Sequence, residues 1–133
     1  MILIYKLEDK DFYQWLAGFW EGEGSFCIVK HNNKKNFRFI FQISQDNIGP
    51  LIYIKNKLST GHIATSTTLE KKHYNFRICK QDEIIRIINY ILPFLVFKKD
   101  IVLEKLDRLR KYKEYMKEKY KLKNQIKLIN IDN

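Results

Sequence analysis

The sequence has few cysteines and histidines, and their spacing forms no recognised site. The two cysteines, Cys27 and Cys79, lack the CxxC spacing that is typical of a structural zinc site. The three histidines, His31, His62 and His73, show no ligand spacing with them. We therefore expect neither a zinc site nor a disulfide framework, and both thiols are expected to be reduced.

Long apolar runs and an N-terminal secretory pattern are also missing. A bilayer-spanning helix needs about 18 consecutive apolar residues, and no such run occurs, so we expect no membrane partner. No cleavable apolar signal opens the chain, so we expect no secretory signal either. The chain instead carries 25 Lys and Arg against 15 Asp and Glu, a net charge of +10. This excess favours nucleic acid as the partner, with a merely solvated basic surface as the alternative.

Alanine is scarce, with 2 residues, whereas the chain has 20 Lys, 19 Ile and 10 Asn. An AT-rich gene encodes such a composition, which predicts a mitochondrial protein, with a chloroplast or a bacterial cytoplasm as alternatives. Apolar residues make up 45% of the 133 positions, which indicates one globular domain over residues 1–133. Its tail, from about residue 121 to 133, is expected to be loosely ordered.

Hydrophobic periodicity predicts an alternation of helices and β-hairpins. Asp9 or Asp11 can cap the first helix after a short lead-in over residues 1–8. The predicted helices cover residues from 9 or 11 to about 21, 51–58 after Pro50, a stretch from 81 that is ended by Pro93, and residues from about 99 onward. The predicted strands cover residues 25–31, 36–45, 61–69 and 73–80.

This order, αββαββα(α), defines an α+β fold class with one four-stranded antiparallel sheet. In the second strand, Phe37, Phe39 and Phe41 alternate with largely polar residues. Tyr74, Phe76, Ile78, Ile63 and Thr65 are expected to continue this apolar face in the second hairpin. Helices should therefore cover the aromatic face of the sheet, while the opposite, polar face stays open.

The stretch LAGFWEGEG ends the first predicted helix in two carboxylates. Ala17 and Gly18 remove bulk from one patch, so that a second helix can approach closely; glycine inside a helix otherwise costs about 1 kcal/mol relative to alanine. Glu21 and Glu23 lie at the negative end of the helix dipole, and a cation relieves this conflict. Carboxylates and a free carbonyl, such as that of Gly22, are ligands that Mg²⁺ accepts. Two copies of the helix would join two Glu23 carboxylates around metal, which predicts a metal-dependent phosphodiesterase.

This stretch resembles the LAGLIDADG motif of homing endonucleases. Residues 16–18 match its first three letters, and Glu-Gly-Glu-Gly at 21–24 stands at its Asp-Ala-Asp-Gly. The single copy, the element order and the LPFL…K segment look like the single-motif members, over roughly residues 10–110. The resemblance implies a homodimer that cuts double-stranded DNA at a long pseudo-palindromic site, with Mg²⁺ or Mn²⁺, using a concave sheet face to bind the DNA.

The resemblance also implies roles for individual residues. Glu23 would bind the catalytic metal together with the Gly22 carbonyl, and Gln45 would position the attacking water. Lys98 would lie near the scissile phosphate, with Lys99 as its neighbouring rival. The family often has a basic residue soon after the glutamine, and the four residues after Gln45 offer no counterpart. The expected dimer interface comprises Leu16, Ala17, Gly18 and Glu21.

The open sheet face is expected to enter the major groove. A sheet of roughly 28 Å spans about eight or nine base pairs, so a dimer would read roughly 17 to 22. Strand alternation assigns the base-contacting face to His31, Asn33, Arg38, Ile40, Gln42, Ser44, Asn75 and Arg77. Lys30 and Lys34 are expected at phosphates. A slip of one residue reverses every such assignment.

Two other functions fit the same sequence. One is an intron-encoded maturase that binds its own intron RNA and assists splicing; such splicing would survive loss of Glu23. The other is a DNA-binding regulator without catalysis, whose binding would be indifferent to Mg²⁺. The retained carboxylates argue against the regulator, because an unneeded anionic pair near DNA phosphates is repulsive.

Overall fold

Four α-helices and four β-strands make up the part of the chain that this computed structural model describes, residues 2–30, 36–68 and 70–132. The helices are α1 (Ile2–Glu23), α2 (Ile48–Leu58), α3 (Gln81–Ile91) and α4 (Lys99–Asp132). The strands are β1 (Gly24–Lys30), β2 (Phe37–Gln45), β3 (His62–Thr68) and β4 (Lys71–Ile78). The predicted α+β class and αββαββα(α) order are confirmed.

The strands form one antiparallel sheet in the order β1-β2-β4-β3. Every second residue of β2 and β4 points to the same side of the sheet. On the side that faces the core, the buried residues are apolar. The buried members of this face are Phe39, Phe41, Ile43, Phe76 and Ile78. Phe37 and Thr65 were predicted on this face as well, and the register agrees, since Phe37 has the parity of Phe39 and Thr65 pairs with Tyr74. Both lie at the margin of the face, where Phe37 is 37% exposed and Thr65 is exposed. Phe37 lies where β2 begins, against the ring of Tyr112 in α4, so it covers the margin of the core.

The helices cover this face with apolar side chains at helical spacing. All four helices contribute to one hydrophobic cluster that includes Leu16, Trp20, Leu51, Ile54, Ile84, Ile88, Val102 and Leu106. The largest side chain, Trp20, stacks on Phe41 with the ring centroids 5.3 Å apart. This contact ties the C-terminal end of α1 to the centre of the sheet.

Two helices begin earlier than the periodicity predicted. α1 starts at Ile2 and not at Asp9 or Asp11, because residues 2–8 contain neither glycine nor proline to interrupt it. α2 starts at Ile48, since the Asn47 side chain accepts a hydrogen bond from the Gly49 N–H at 3.0 Å and caps it. Proline is tolerated in this first turn because the N–H groups there have no helical acceptor.

The end of α3 differs from the prediction, whereas α4 begins where it was expected. α3 ends at Ile91, and Pro93 lies in a short 3₁₀ turn, Leu92–Phe94, that follows it. α4 continues to Asp132, and residues 121–129 are exposed along it. The loose ordering of the tail stays a prediction. In the described ranges, no helix combines the length and the apolar character that a bilayer crossing requires.

Candidate active site

The junction between α1 and β1 places the acidic end of the motif. Gly24 packs against the indole of Trp20, and a Cβ there would lie 2.2 Å from the Trp20 Cδ1 atom and 2.8 Å from the Gln42 carbonyl oxygen. A side chain at this position therefore clashes on two sides. The glycine lets the chain turn from helix into strand directly after Glu23, so the carboxylate of Glu23 is held at the edge of the sheet.

Glu23 lines an open cleft of about 270 Å³ with residues from β2 and β4. The lining residues are Glu23, Ser44, Gln45, Asp46 and His73. The Glu23 side chain is exposed and accepts no hydrogen bond from residues within the described ranges. The structure thus brings together Glu23 and Gln45, two of the predicted catalytic residues, which are 22 positions apart in the sequence.

Glu21 has a different environment from Glu23. Its carboxylate accepts three backbone hydrogen bonds, from the N–H groups of Val96 at 2.7 Å, Phe97 at 2.5 Å and Lys98 at 2.8 Å. Desolvation raises the pKa of Glu21, but these three donors outweigh it and hold the pKa below its usual value. Glu21 therefore fixes the loop between α3 and α4 to the end of α1.

Lys98 is brought to the same end of α1. Its Nζ donates to the Gly24 carbonyl oxygen at 2.9 Å and lies 5.3 Å from the centroid of the Trp20 ring. Lys99, the alternative, is the exposed first residue of α4. Lys98 therefore contacts Gly24, the residue that follows Glu23. Among the described contacts, none connects Lys99 with the cleft.

The predicted dimer patch on α1 is divided between core and surface. Leu16 and Ala17 are completely buried in the protomer, so their side chains are not available to a second copy and their assignment to the interface is corrected. Gly18 and Gly22 are exposed, and a Cβ added at either would meet no atom within 4 Å among the described residues. These two glycines are four residues apart and lie on one side of the helix.

The open face of the sheet carries the polar residues predicted from strand alternation. Gln42 pairs with Arg77 and Ser44 with Asn75 across β2 and β4. Arg77 Nε donates to Gln42 Oε1 at 2.8 Å, and Ser44 Oγ donates to Asn75 Oδ1 at 2.6 Å. These bonds hold four neighbouring donor and acceptor groups in place on a solvent-facing surface.

Other predicted contact residues have varied positions. Arg38 donates to the Cys79 Sγ atom at 3.3 Å, and Ile40 is half-buried opposite Cys27 of β1. Lys30 is exposed at the end of β1. His31, Asn33 and Lys34 lie outside the described residues. The contacts of all these side chains with DNA stay predictions.

Two residues of the cleft were missed by the sequence reasoning. Asp46 and His73 were given no role, yet His73 Nδ1 lies 2.5 Å from Asp46 Oδ1 in the cleft with Glu23. The alternation of β4 was the available signal, because His73 shares parity with Asn75 and Arg77 on the open face.

The ligands for a cation are few in one protomer. Within residues 2–30, 36–68 and 70–132, no three His, Cys, Asp or Glu side chains cluster closely enough to hold a metal ion. The oxygen donors at the end of α1 are the exposed Glu23 carboxylate and the carbonyls of the last turn, including that of Gly22, which have no helical N–H partner. Such oxygen ligands fit Mg²⁺, whose remaining positions are commonly filled by water and phosphate.

The comparison with known protein families covers both the acidic end of α1 and the open sheet face. The family profile described as LAGLIDADG endonuclease matches residues 16–108, so the chain belongs to this family. A yeast protein, uncharacterized mitochondrial protein RF1 of Saccharomyces cerevisiae, is 46% identical over 55 residues, which are 40% of this chain. The chain spans 11% of the length of that relative.

Solved homing endonucleases share the fold. I-CvuI, in complex with its target in the presence of Ca, has a TM-score of 0.66 at 20% identity, over 79% of this chain and 69% of that one. I-CeuI complexed with DNA has a TM-score of 0.63 at 20% identity, and the match covers 80% of this chain and 56% of I-CeuI. I-AabMI, a LAGLIDADG meganuclease bound to uncleaved DNA, has a TM-score of 0.64 at 25% identity, and the match covers 81% of this chain and 40% of I-AabMI. The four-stranded sheet with helices on one face is therefore the homing endonuclease fold.

Proposed function

We propose that this chain is a site-specific endonuclease that cuts double-stranded DNA as a homodimer with a divalent metal ion. The observation that carries the proposal is the position of Glu23, exposed in one cleft with Gln45 at the edge of a polar sheet face. Membership of the LAGLIDADG endonuclease family supports the same activity. The mitochondrial relative and the AT-rich composition support a mitochondrial location.

The catalytic roles divide among three places around the end of α1. Glu23 and the Gly22 carbonyl would hold Mg²⁺ or Mn²⁺, which supplies an activated water and neutralises charge on the phosphate. Gln45 would orient the attacking water through its side-chain amide. Lys98, already held at Gly24, would offer positive charge to the scissile phosphate.

The homodimer is supported by the surface of α1. Glycine in a helix costs about 1 kcal/mol relative to alanine, so two exposed glycines on one side need a reason outside the protomer. A second α1 packed on Gly18 and Gly22 provides it, because small residues let two backbones approach closely. Glu21, which precedes Gly22, binds the backbone of the loop between α3 and α4. In this loop, the side chains of Val96 and Phe97 are 74% and 87% exposed.

DNA recognition is assigned to the open sheet face. β2 has nine residues, which extend about 30 Å and match about nine base pairs. Arg38 and Arg77 are suited to guanine, and Gln42 and Asn75 to adenine, by bidentate hydrogen bonds in the major groove. The Arg77–Gln42 bond holds two of these side chains ready for contact.

A cleavage assay tests the proposal. The purified protein is incubated with Mg²⁺ and a DNA duplex that joins the sequences flanking its own gene, alongside a random-sequence library. Wild type should cut one site near its centre, and Glu23→Gln should cut at least about 100-fold more slowly, because a metal ligand is lost. Glu104→Gln, an exposed glutamate of α4, is the control and should cut like wild type. DNA binding without any cleavage in Mg²⁺ or Mn²⁺ would refute the proposed activity.

A further inference from the structure

Asp46 and His73 form a pair inside the cleft, and neither residue has a role in the proposed function. Asp46 directly follows the last residue of β2, and His73 lies in β4. The two side chains meet with His73 Nδ1 2.5 Å from Asp46 Oδ1, although 27 positions separate them in the sequence. The pair is solvent-accessible, with 39% of the His73 side chain and 75% of the Asp46 side chain exposed.

The contact assigns a tautomer to the neutral ring. A carboxylate is only an acceptor of hydrogen bonds, so His73 Nδ1 carries the proton that is donated to Asp46. The other nitrogen, Nε2, is then left with a lone pair in the neutral imidazole. A carboxylate that binds one ring nitrogen in this way both orients the ring and stabilises the positive charge that forms when Nε2 takes a proton.

The position of the pair relates it to the substrate surface. His73 has the same strand parity as Asn75 and Arg77, so its side chain lies on the open face of the sheet. The same cleft is lined by Glu23 and by Gln45, which is adjacent to Asp46. A base in this cleft therefore lies on the side from which DNA would approach.

We propose that His73, oriented by Asp46, is the general base that activates the attacking water; this inference rests on the proposed endonuclease activity. As the water oxygen forms its bond to phosphorus, one water proton passes to His73 Nε2. The bond from phosphorus to the leaving sugar oxygen breaks, and that oxygen takes a proton from solvent. His73 then releases its proton to solvent, so the protein returns to its starting state and one water is consumed for each bond.

Cleavage and binding are measured separately for a set of variants to test this role. His73→Ala should lower the single-turnover cleavage rate by about 100-fold or more, the usual contribution of a general base, while the DNA Kd without Mg²⁺ changes by less than about threefold. Added imidazole should restore part of the rate to His73→Ala. Asp46→Asn should lower the rate by at least about 10-fold, because the ring loses its orienting anion. Glu104→Gln, an exposed residue of α4 away from the open sheet face, is the control and should cut and bind like wild type.

The outcomes separate this inference from the proposed function. If wild type cuts and His73→Ala or His73→Gln cuts within threefold of it, His73 is not the base and the proposed endonuclease stands. If variants at His73 lose thermal stability and DNA affinity in parallel with rate, without imidazole rescue, the pair is a structural tether between β2 and β4. If wild type itself does not cut, both proposals fail.

Discussion

Replacing Gly18 and Gly22 by alanine separates the stability of the protomer from the stability of the dimer. In the protomer, neither new Cβ meets an atom within 4 Å among the described residues. Each substitution removes the backbone entropy cost of a helical glycine, so the double variant should gain about 2 kcal/mol in the free energy of unfolding of the protomer. We therefore expect the protomer of the double variant to be more stable to unfolding than the wild-type protomer.

The dimer should respond in the opposite direction. Two methyl groups in each α1 would hold the helix backbones apart, and overpacking of a close interface costs about 1–3 kcal/mol for each site. A change of 1.4 kcal/mol is tenfold in Kd. The dissociation constant of the Gly18→Ala/Gly22→Ala dimer should therefore rise by at least about tenfold, and DNA cleavage at low protein concentration should fall with it.

Analytical ultracentrifugation measures the dimer Kd, and urea unfolding at a concentration below that Kd measures the protomer. Gly24→Ala is the internal control, because its Cβ would lie 2.2 Å from Trp20 and should destabilise the protomer itself by about 1–3 kcal/mol. An unchanged dimer Kd in the double variant would refute the packing of two helices through these glycines. A destabilised protomer would show that α1 packs differently from the structure described above.

Two further predictions concern Glu21 and Arg77. The native pKa of Glu21 lies below its ordinary value of about 4.5, so its stabilising effect should be fully present above that pH and should be lost as the pH falls through the lower native pKa. Urea unfolding at pH 7 should thus show Glu21→Gln less stable than wild type by about 1–2 kcal/mol, and the difference should shrink in acid; a pH-independent difference contradicts the role of its charge. Arg77→Ala should reduce the discrimination against wrong bases at one or two base pairs of the target by about 1–3 kcal/mol, which a cleavage-selection profile measures. Lys30→Ala should instead weaken binding to all sequences alike. A uniform loss of binding for Arg77→Ala would show that Arg77 contacts a phosphate.

Much of the fold followed from local patterns. The alternation of Phe39 and Phe41 with Gln42 and Ser44 predicted the two faces of β2, because strand periodicity depends only on neighbouring residues. The helix-to-strand transition at Gly24 was also close to its observed place. Helix starts were less predictable, since Asp9 and Asp11 are equally good capping residues yet lie inside α1.

The candidate site was predictable only in part. Glu23 was predicted from its place at the acidic helix end and Gln45 by resemblance, and the structure places both in one cleft. Leu16 and Ala17 were expected to face a second copy, but the protomer buries them in its own core. Which side of a helix faces the core depends on the elements that pack on it, and those elements are distant in the sequence.

The sequence by itself determined the order of elements, the parity of the strands and the acidic helix end, because these depend on residues that are close together in the chain. Only the tertiary structure decided that Glu21 binds the backbone of Val96, Phe97 and Lys98, and that His73 meets Asp46. These contacts join residues 27 to 77 positions apart. Their geometry is set by how the sheet and helices pack, which no local pattern encodes.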